Sequence, residues 1–372
     1  MSEPLRVLQV NSIFQGGGVD SQTLELCRAL PEENVEVTLA VPENARLAAQ
    51  ARAIPGLKLV ALSGGKLGAG LALARLIRRQ RIDLVHAHHG RDYWVAALAA
   101  RLGGIGDRCL LSRHLMTALS RSSARYLPKL AHLAAASQAV LRVLRAQCPG
   151  NEKRLHLLYG GIDGERFSPA AVAQPGAKLR TRLGWDANHV VFAVIGWAQV
   201  PEGKGQLLFL DAAARLRERL PNARFLIAGD GSLMPALRAR AQHADLAGRV
   251  AFIPFQDDIA PVYGALDVLV HPALGSEALG LVLWEALACG KPVIASRLDG
   301  IPEAFVENQH GLLTPPRDVV ALAEAMWRLG ADTALRARLG QAGREHVRAR
   351  FDRRHYAQRA RALYRHILEA AA

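Results

Sequence analysis

The chain has 372 residues, more than one hydrophobic core usually serves, so two domains are expected. Half of the residues are hydrophobic, yet no uncharged apolar run reaches about 18 residues, which argues against a membrane-spanning helix. A net charge of +14, from 47 Lys and Arg against 33 Asp and Glu, points to anionic partners.

The arginines are dispersed through "ARLIRRQRID", "LSRHLMTALSRSSARYLPKL" and "FDRRHYAQRARALYRHI", and no helix-turn-helix, zinc-finger or RRM signature accompanies them. A membrane surface or an anionic substrate is therefore expected, and no nucleic acid. The N-terminus enters a strand at once and lacks the basic-then-apolar layout of a signal peptide. Cys27, Cys109, Cys148 and Cys289 are scattered, as in a reduced cytoplasmic protein without a structural zinc site.

In chain order, "LRVLQV", "VEVTLAV", "LKLVAL", "IDLVHAH", "RCLLSRH" and "HLAAAS" read as short buried strands, with helical stretches such as "SQTLELCRAL" and "LGAGLALARLIRRQ" between them. That alternation means a parallel sheet covered by helices on both faces. "GIDGERFSPAAVAQPGAKLR" breaks the rhythm with Gly, Pro and Ser and reads as a linker. The rhythm then restarts with "HVVFAVIGWA", "ARFLIAGDG", "RVAFIPF", "LDVLVHP" and "KPVIAS", and the chain closes on an amphipathic helix, "FDRRHYAQRARALYRHILEAAA". The fold class is α/β, two doubly wound domains. Open parallel sheets bind ligands beyond the carboxyl ends of their strands, so the site is expected in a cleft that the two domains share.

Four strand-end motifs carry candidate chemistry. Gly16, Gly17 and Gly18 follow the first strand and open a helix, where backbone can approach an anion. They do not form the dinucleotide G-x-G-x-x-G, and a plain tight turn accounts for them equally. "VIGWAQVPEGKGQLLFL" places Lys204 between Gly203 and Gly205 before a helix, a setting suited to a diphosphate, although the spacing is not that of a P-loop. His114 ends the strand "RCLLSRH" beside Arg113, a position for a hydrogen-bond partner or acid/base. His86, His88 and His89 compete for such a role, but no carboxylate or Cys is placed to complete a metal set.

The fourth motif is "GSEALGLVLWEALACGKPVIAS". Glu277 and Glu285 stand in a run of buried helix and buried strand, where carboxylates need partners. Eight residues of helix would leave the two roughly 80° apart and about 12 Å along the axis, and with Glu277 on the loop before the helix both can face one cleft. Both can then accept from the hydroxyls of a sugar or a ribose. A helix N-terminal acid explains Glu277 as well, whereas Glu285 between Trp284 and Ala286 is harder to explain without a ligand.

Taken in order, these pieces resemble glycosyltransferase family 4, the retaining nucleotide-sugar glycosyltransferases of the GT-B fold, over nearly the whole chain. "HPALGSEALGLVLWEALACGKPVIASRLDGIPEAF" is the most specific part, and "GGGVDSQTLELCRAL", "YGGIDGERFSP", "GKGQLLFLDAAARL" and "FLIAGDGSL" are similar too. The resemblance implies an acceptor-binding domain over residues 1–168, a nucleotide-sugar-binding domain over residues 178–351, and a final helix over 352–372 packing back on the first domain. Glu285 would accept from the donor ribose, Glu277 would face the transferred sugar, and Lys204 would hold the diphosphate and stabilise the departing charge. Amides of Gly17, Gly18, Ala278, Leu279 and Gly280 would support the same charge, and His114 would lie near the transferred sugar. No metal is implied, and the donor nucleotide sugar is a substrate rather than a cofactor.

Three features depart from the family pattern, one of them the loop from Gly196 to Lys204, about one or two residues longer than common forms. Trp197 follows Gly196 where a basic residue is usual, and Glu-Gly-Phe-Gly is replaced by Glu277-Ala278-Leu279-Gly280. The basic residues Arg113, Arg121, Arg125 and Lys129 are expected to bind the acceptor. Bacterial members resembled here build lipopolysaccharide core and other envelope glycans, so a UDP-hexose donor and a saccharide or lipid-linked acceptor at the cytoplasmic face of the inner membrane are expected. GDP-mannose transfer to a lipid acceptor, a nucleotide-sugar 2-epimerase and a non-catalytic sugar-nucleotide-binding protein are the alternatives.

Overall fold

The computed structural model describes residues 3–13 and 17–371. They divide into two compact units, Met1–Ile162 with Phe351–Ala372, and Asp163–Arg350.

The first unit holds a seven-stranded parallel sheet of β1 (Leu5–Val10), β2 (Val35–Val41), β3 (Lys58–Ala61), β4 (Leu84–Ala87), β5 (Cys109–Arg113), β6 (His132–Ala135) and β7 (Leu155–Leu157), ordered β3-β2-β1-β4-β5-β6-β7. Its helices are α1 (Gly18–Ala29), α2 (Arg46–Ala51), α3 (Gly65–Gln80), α4 (Tyr93–Leu102), α5 (Arg121–Tyr126) and α6 (Gln138–Gln147). Continuous apolar strands such as "LVHA" are buried along their length because helices cover both faces.

The second unit contains α7 (Pro169–Arg182), α8 (Gln206–Ala214), α9 (Met234–Ala241), α10 (Ala260–Ala265), α11 (Leu281–Ala288), α12 (Val319–Ala331) and α13 (Thr333–Arg350). Its parallel sheet comprises β8 (Val190–Ile195), β9 (Ala223–Ala228), β10 (Val250–Ile253), β11 (Val268–His271), β12 (Val293–Ser296) and β13 (Gly311–Thr314), ordered β10-β9-β8-β11-β12-β13. In each sheet the order reverses once, between β1 and β4 and between β8 and β11. Those reversals open crevices at the carboxyl ends, where ligands of such sheets bind.

The segment read as a linker is corrected. From Pro169 onward it is helix α7, capped by the Ser168 hydroxyl, which accepts from the Ala171 amide, with Pro169 at the first turn where its missing N–H costs nothing. Its glycine is a packing residue. A Cβ at Gly176 would lie 2.2 Å from the Gly264 carbonyl carbon, so α7 and α10 meet backbone to backbone. The division between units accordingly falls after Ile162 rather than after residue 168. Two strands were not foreseen, β7 and β13, each only three or four residues long at a sheet edge.

The last helix, α14 (Arg353–Ala370), belongs to the first unit. Its Tyr356, Ala357, Ala360, Leu363, Tyr364 and Ile367 join the core built from α1, β1 and β2. The amide of Ile162 donates to the Phe351 carbonyl, and Arg353 N–H to the Ile162 carbonyl, each at 2.9 Å, so the departing and returning chain run side by side.

Candidate functional site

In the second unit the candidate residues gather at the crevice between β8 and β11. Lys204 follows β8, and Glu277 follows β11 on the loop before α11, as expected. Lys204 Nζ donates to Glu277 Oε2 at 2.6 Å. Gly205 makes that approach possible. It caps α8 at a φ of +80°, and a Cβ there would lie 1.9 Å from the Pro272 carbonyl oxygen, so no other residue lets the lysine loop close against the end of β11. Gln206 braces the loop by accepting from the Lys204 amide at 2.7 Å.

Glu277 is held from several sides. Its amide donates to Asp299 Oδ2 at 3.1 Å, and its carbonyl accepts from the Gly300 amide at 3.2 Å. The "RLDGIPEAF" piece thus clamps the glutamate's backbone. His271, buried at the end of β11, lies 3.4 Å from the same Glu277 oxygen that Lys204 grips. Burial pushes the Glu277 carboxyl up, but the His271 ring and then the Lys204 ammonium more than reverse this and hold it down at about 2. The carboxylate is ionised at any physiological pH.

Glu285 sits on α11, partly buried, and its Oε2 accepts from the Tyr263 hydroxyl of α10 at 2.5 Å. Burial and the neighbouring Glu285 charge raise the Tyr263 hydroxyl well above its usual range, so it remains a donor. Gly280 caps α11 with a φ of +83°. Ala278 is not among the residues with positive φ, so alanine in place of glycine introduces no backbone strain there. Leu279 is buried. Sequence reasoning missed His271, Asp299 and Tyr263. The strand-end rule that singled out His114 applies equally to the His of "LVHP", whereas the other two partners lie far off in sequence.

In the first unit Gly17 and Gly18 stand at the start of α1, and Gly16 lies outside the described residues. Gly17 is in extended backbone, and a Cβ on it would meet nothing within 4 Å. No neighbour among the described residues therefore requires glycine there. Asp20, in the first turn, accepts from Asn11 Nδ2 at 3.0 Å, and burial pushes its carboxyl up to about 6.

His114 follows β5, its ring stacked on His88 at 6.2 Å, and its Nε2 is buried without a hydrogen-bond partner among the described residues. Burial, then the charges of His89 and Arg113, lower it to about 4, so it is a neutral imidazole. His86 and His88 belong to a hydrogen-bonded network. His88 Nε2 meets Gln9 Oε1 at 2.6 Å, and His86 meets the Tyr364 hydroxyl at 2.7 Å and Ser112 at 2.8 Å.

The four basic residues assigned to the acceptor do not share one setting. Arg113 is buried, and its guanidinium donates to the Thr117 hydroxyl and carbonyl, bracing the loop after His114. Arg121, Arg125 and Lys129 instead line one surface pocket of about 490 Å³ with Leu119, Gln147 and Pro149, and no carboxylate lines it.

Comparison with known proteins shows the family. The profile for Glycosyltransferase Family 4 matches residues 16–166, and that for glycosyl transferases group 1 matches residues 189–332. A GDP-mannose-dependent alpha-(1-6)-phosphatidylinositol monomannoside mannosyltransferase of Mycobacterium tuberculosis is 31% identical over 293 residues, 75% of this chain and 74% of that protein. A D-inositol 3-phosphate glycosyltransferase of Salinispora tropica is 27% identical, covering 89% of this chain and 77% of the relative. An Escherichia coli UDP-Gal:alpha-D-GlcNAc-diphosphoundecaprenol alpha-1,3-galactosyltransferase is 27% identical over 86% of each. Among solved structures, a glycosyltransferase from Rickettsia africae superposes with a TM-score of 0.87 at 19% identity over 99% of each chain. Anabaena HepE in complex with UDP-glucose gives 0.81 at 23% identity over 96% of this chain and 99% of that one. The chain belongs to the family 4 glycosyltransferases of the GT-B fold and is an enzyme that uses a nucleotide-sugar donor.

Proposed function

We propose that the chain is a retaining, metal-independent transferase that moves a hexose from a UDP-sugar to a hydroxyl of a phosphate-bearing envelope glycan acceptor, of the lipopolysaccharide-core kind. The observation that carries the donor half is the Lys204–Glu277 pair at the crevice of the second sheet, with Glu285 on the adjoining helix. A diphosphate entering there takes up the Lys204 ammonium, and the amides of Ala278, Leu279 and Gly280 at the start of α11 add donors for the charge that develops as it leaves. Ionised Glu277 then accepts from hydroxyls of the transferred sugar, and Glu285 from those of the ribose. The acceptor hydroxyl attacks from the face the diphosphate leaves, through an oxocarbenium-like state, and the leaving oxygen takes its proton. In the first unit, neutral His114 and the amides of Gly17 and Gly18 are proposed as hydrogen-bond partners for bound substrate.

The acceptor half rests on the carboxylate-free pocket of Arg121, Arg125 and Lys129, which suits a phosphate. The three relatives described above act, by name, on inositol 3-phosphate, a phosphatidylinositol mannoside and a diphospho-undecaprenol sugar, all phosphorylated acceptors. The mannosyltransferase relative supports a second reading, GDP-mannose as donor and a lipid as acceptor. Attachment to an anionic membrane surface is part of the same proposal. Helices α3 and α4 pack together and leave Leu67, Leu71, Leu98 and Leu102 exposed beside Lys66, Arg75 and Arg101.

Thermal-shift screening against UDP-, GDP-, ADP- and CMP-sugars tests the donor, because a ligand bound only by the folded state raises its melting temperature. A rise with a UDP-hexose that Glu285→Ala abolishes supports the reading, and a rise with GDP-mannose alone selects the second. Release of nucleotide only when a phosphorylated acceptor is supplied, at the same rate with EDTA present, marks a metal-independent transferase. Conversion of the nucleotide sugar without acceptor marks an epimerase, and binding without turnover marks a non-catalytic protein.

A further inference from the structure

Trp197, singled out in the sequence because it stands where a basic residue is usual, stacks on Phe255. Their ring centroids are 5.5 Å apart and their planes 20° from parallel. Trp197 follows β8 and Phe255 follows β10, so the two loops meet across the end of β9, the strand between them in the sheet. Both rings remain open to solvent, Trp197 by 41% and Phe255 by 37%. Large aromatic side chains hold most of their stabilising area only when covered, and an exposed stacked pair offers flat apolar surface to a ligand.

The pair is held in place. Asp230, on the loop after β9, accepts from the Ala198 amide through its carbonyl at 2.8 Å and from the Phe255 amide through Oδ2 at 2.9 Å. One residue thus fixes the backbone on both sides of the stack.

Its neighbours are the donor residues. A Cβ at Gly196 would lie 3.1 Å from Lys204 Cγ, so the residue just before Trp197 lies against the lysine assigned to the diphosphate. The loop carrying Phe255 leads directly into α10, whose Tyr263 bonds Glu285, the residue assigned to the ribose. A nucleoside diphosphate held at both places has one part left, the planar base beyond the ribose.

We propose that Trp197 and Phe255 form the platform on which the donor's nucleobase stacks, so that at this position the chain grips the donor by π-stacking. The inference rests on the donor assignment of Lys204 and Glu285. Stacking tolerates every base because each has a π-face, so the platform supplies affinity and leaves the choice of base to polar groups at its edge.

Calorimetric titration of UDP, GDP, ADP and inorganic pyrophosphate tests it. Trp197→Ala is expected to weaken the tightest nucleoside diphosphate on the order of 10-fold and to leave pyrophosphate unchanged, while Trp197→Phe stays close to wild type. Addition of the same nucleotide quenches tryptophan fluorescence in the wild type and quenches it less in Trp197→Phe. Unchanged nucleoside diphosphate affinity in Trp197→Ala, with wild-type binding that Glu285→Ala weakens, overturns the platform alone. An equal loss of pyrophosphate and nucleotide affinity in Trp197→Ala also overturns it, because the residue then only positions the Lys204 loop. Absence of nucleoside diphosphate binding by the wild type overturns the donor reading beneath it.

Discussion

Lys204 and Glu277 neutralise each other in the structure, and that pairing sets what each substitution does. Removing the lysine deletes the cation proposed to meet the leaving diphosphate. Lys204→Ala is expected to lower kcat on the order of 100- to 1000-fold while donor affinity falls far less, read from steady-state kinetics beside calorimetry. The Glu277 carboxyl is held at about 2 against an ordinary 4.5, so its interactions stabilise the fold above pH 4.5 and are lost as pH falls through 2. The shift corresponds to about 3 kcal/mol. The stability gap between wild type and Glu277→Gln, measured by denaturant midpoints, should therefore shrink steadily as pH falls from about 5 towards 2. His114, lowered to about 4, carries no charge near neutrality, so a pH–rate profile should show no titration attributable to it between pH 6 and 8. Both glutamates were legible in the sequence because ionised side chains in an apolar run need partners. The partners themselves, His271, Tyr263 and Asp299, were not, since contacts between distant loops leave no local pattern.

At the scale of elements, α14 shows how much one helix decides. Its amphipathic pattern was readable, but the place where it packs was not a matter of periodicity. Tyr364, fully buried, brings its hydroxyl to Gln9 at 3.1 Å and to His86 at 2.7 Å, beneath the ends of β1 and β4. Tyr364→Phe leaves those buried partners unmet and is expected to cost about 1–3 kcal/mol of first-unit stability. Nucleoside diphosphate binding at the site proposed in the second unit, around Lys204 and Glu285, should be retained, and calorimetry beside thermal unfolding checks both halves. Helix α7 is the opposite case. Its Pro and Gly residues read as chain breakers, yet Pro169 occupies a permitted first-turn position and Gly176 serves the close contact with Gly264. Gly264→Val is therefore expected to destabilise the second unit, because any larger side chain strikes the Val172 carbonyl. The short edges β7 and β13 escaped notice because three or four residues do not establish a period.

For the whole molecule, charge is the property that reaches furthest. A net +14 attracts anionic surfaces over distances set by salt, and the exposed leucines of α3 and α4 supply apolar contact beside cations. No helix among the described residues is long and apolar enough to cross a membrane. Sedimentation with phosphatidylglycerol vesicles should pull the protein down at low ionic strength, release it at about 0.5 M salt, and do so less for Leu67→Asp with Leu71→Asp. Equal retention by neutral phosphatidylcholine vesicles would count against an electrostatic surface role.

By itself the sequence determined the two parallel-sheet units, the carboxyl-end placement of Lys204, Glu277 and His114, and the family. These follow from local period, from glycines before helices, and from charges that an apolar run does not tolerate alone. Only the tertiary structure decided that Lys204 pairs with Glu277, that Glu285 is held by Tyr263, that Arg113 braces a loop while Arg121, Arg125 and Lys129 share a pocket, and that Trp197 lies on Phe255. The reason is physical. Parallel strands carry residues far apart in the chain to neighbouring loop ends, and the contacts made there depend on which strands adjoin, which no stretch of local sequence records.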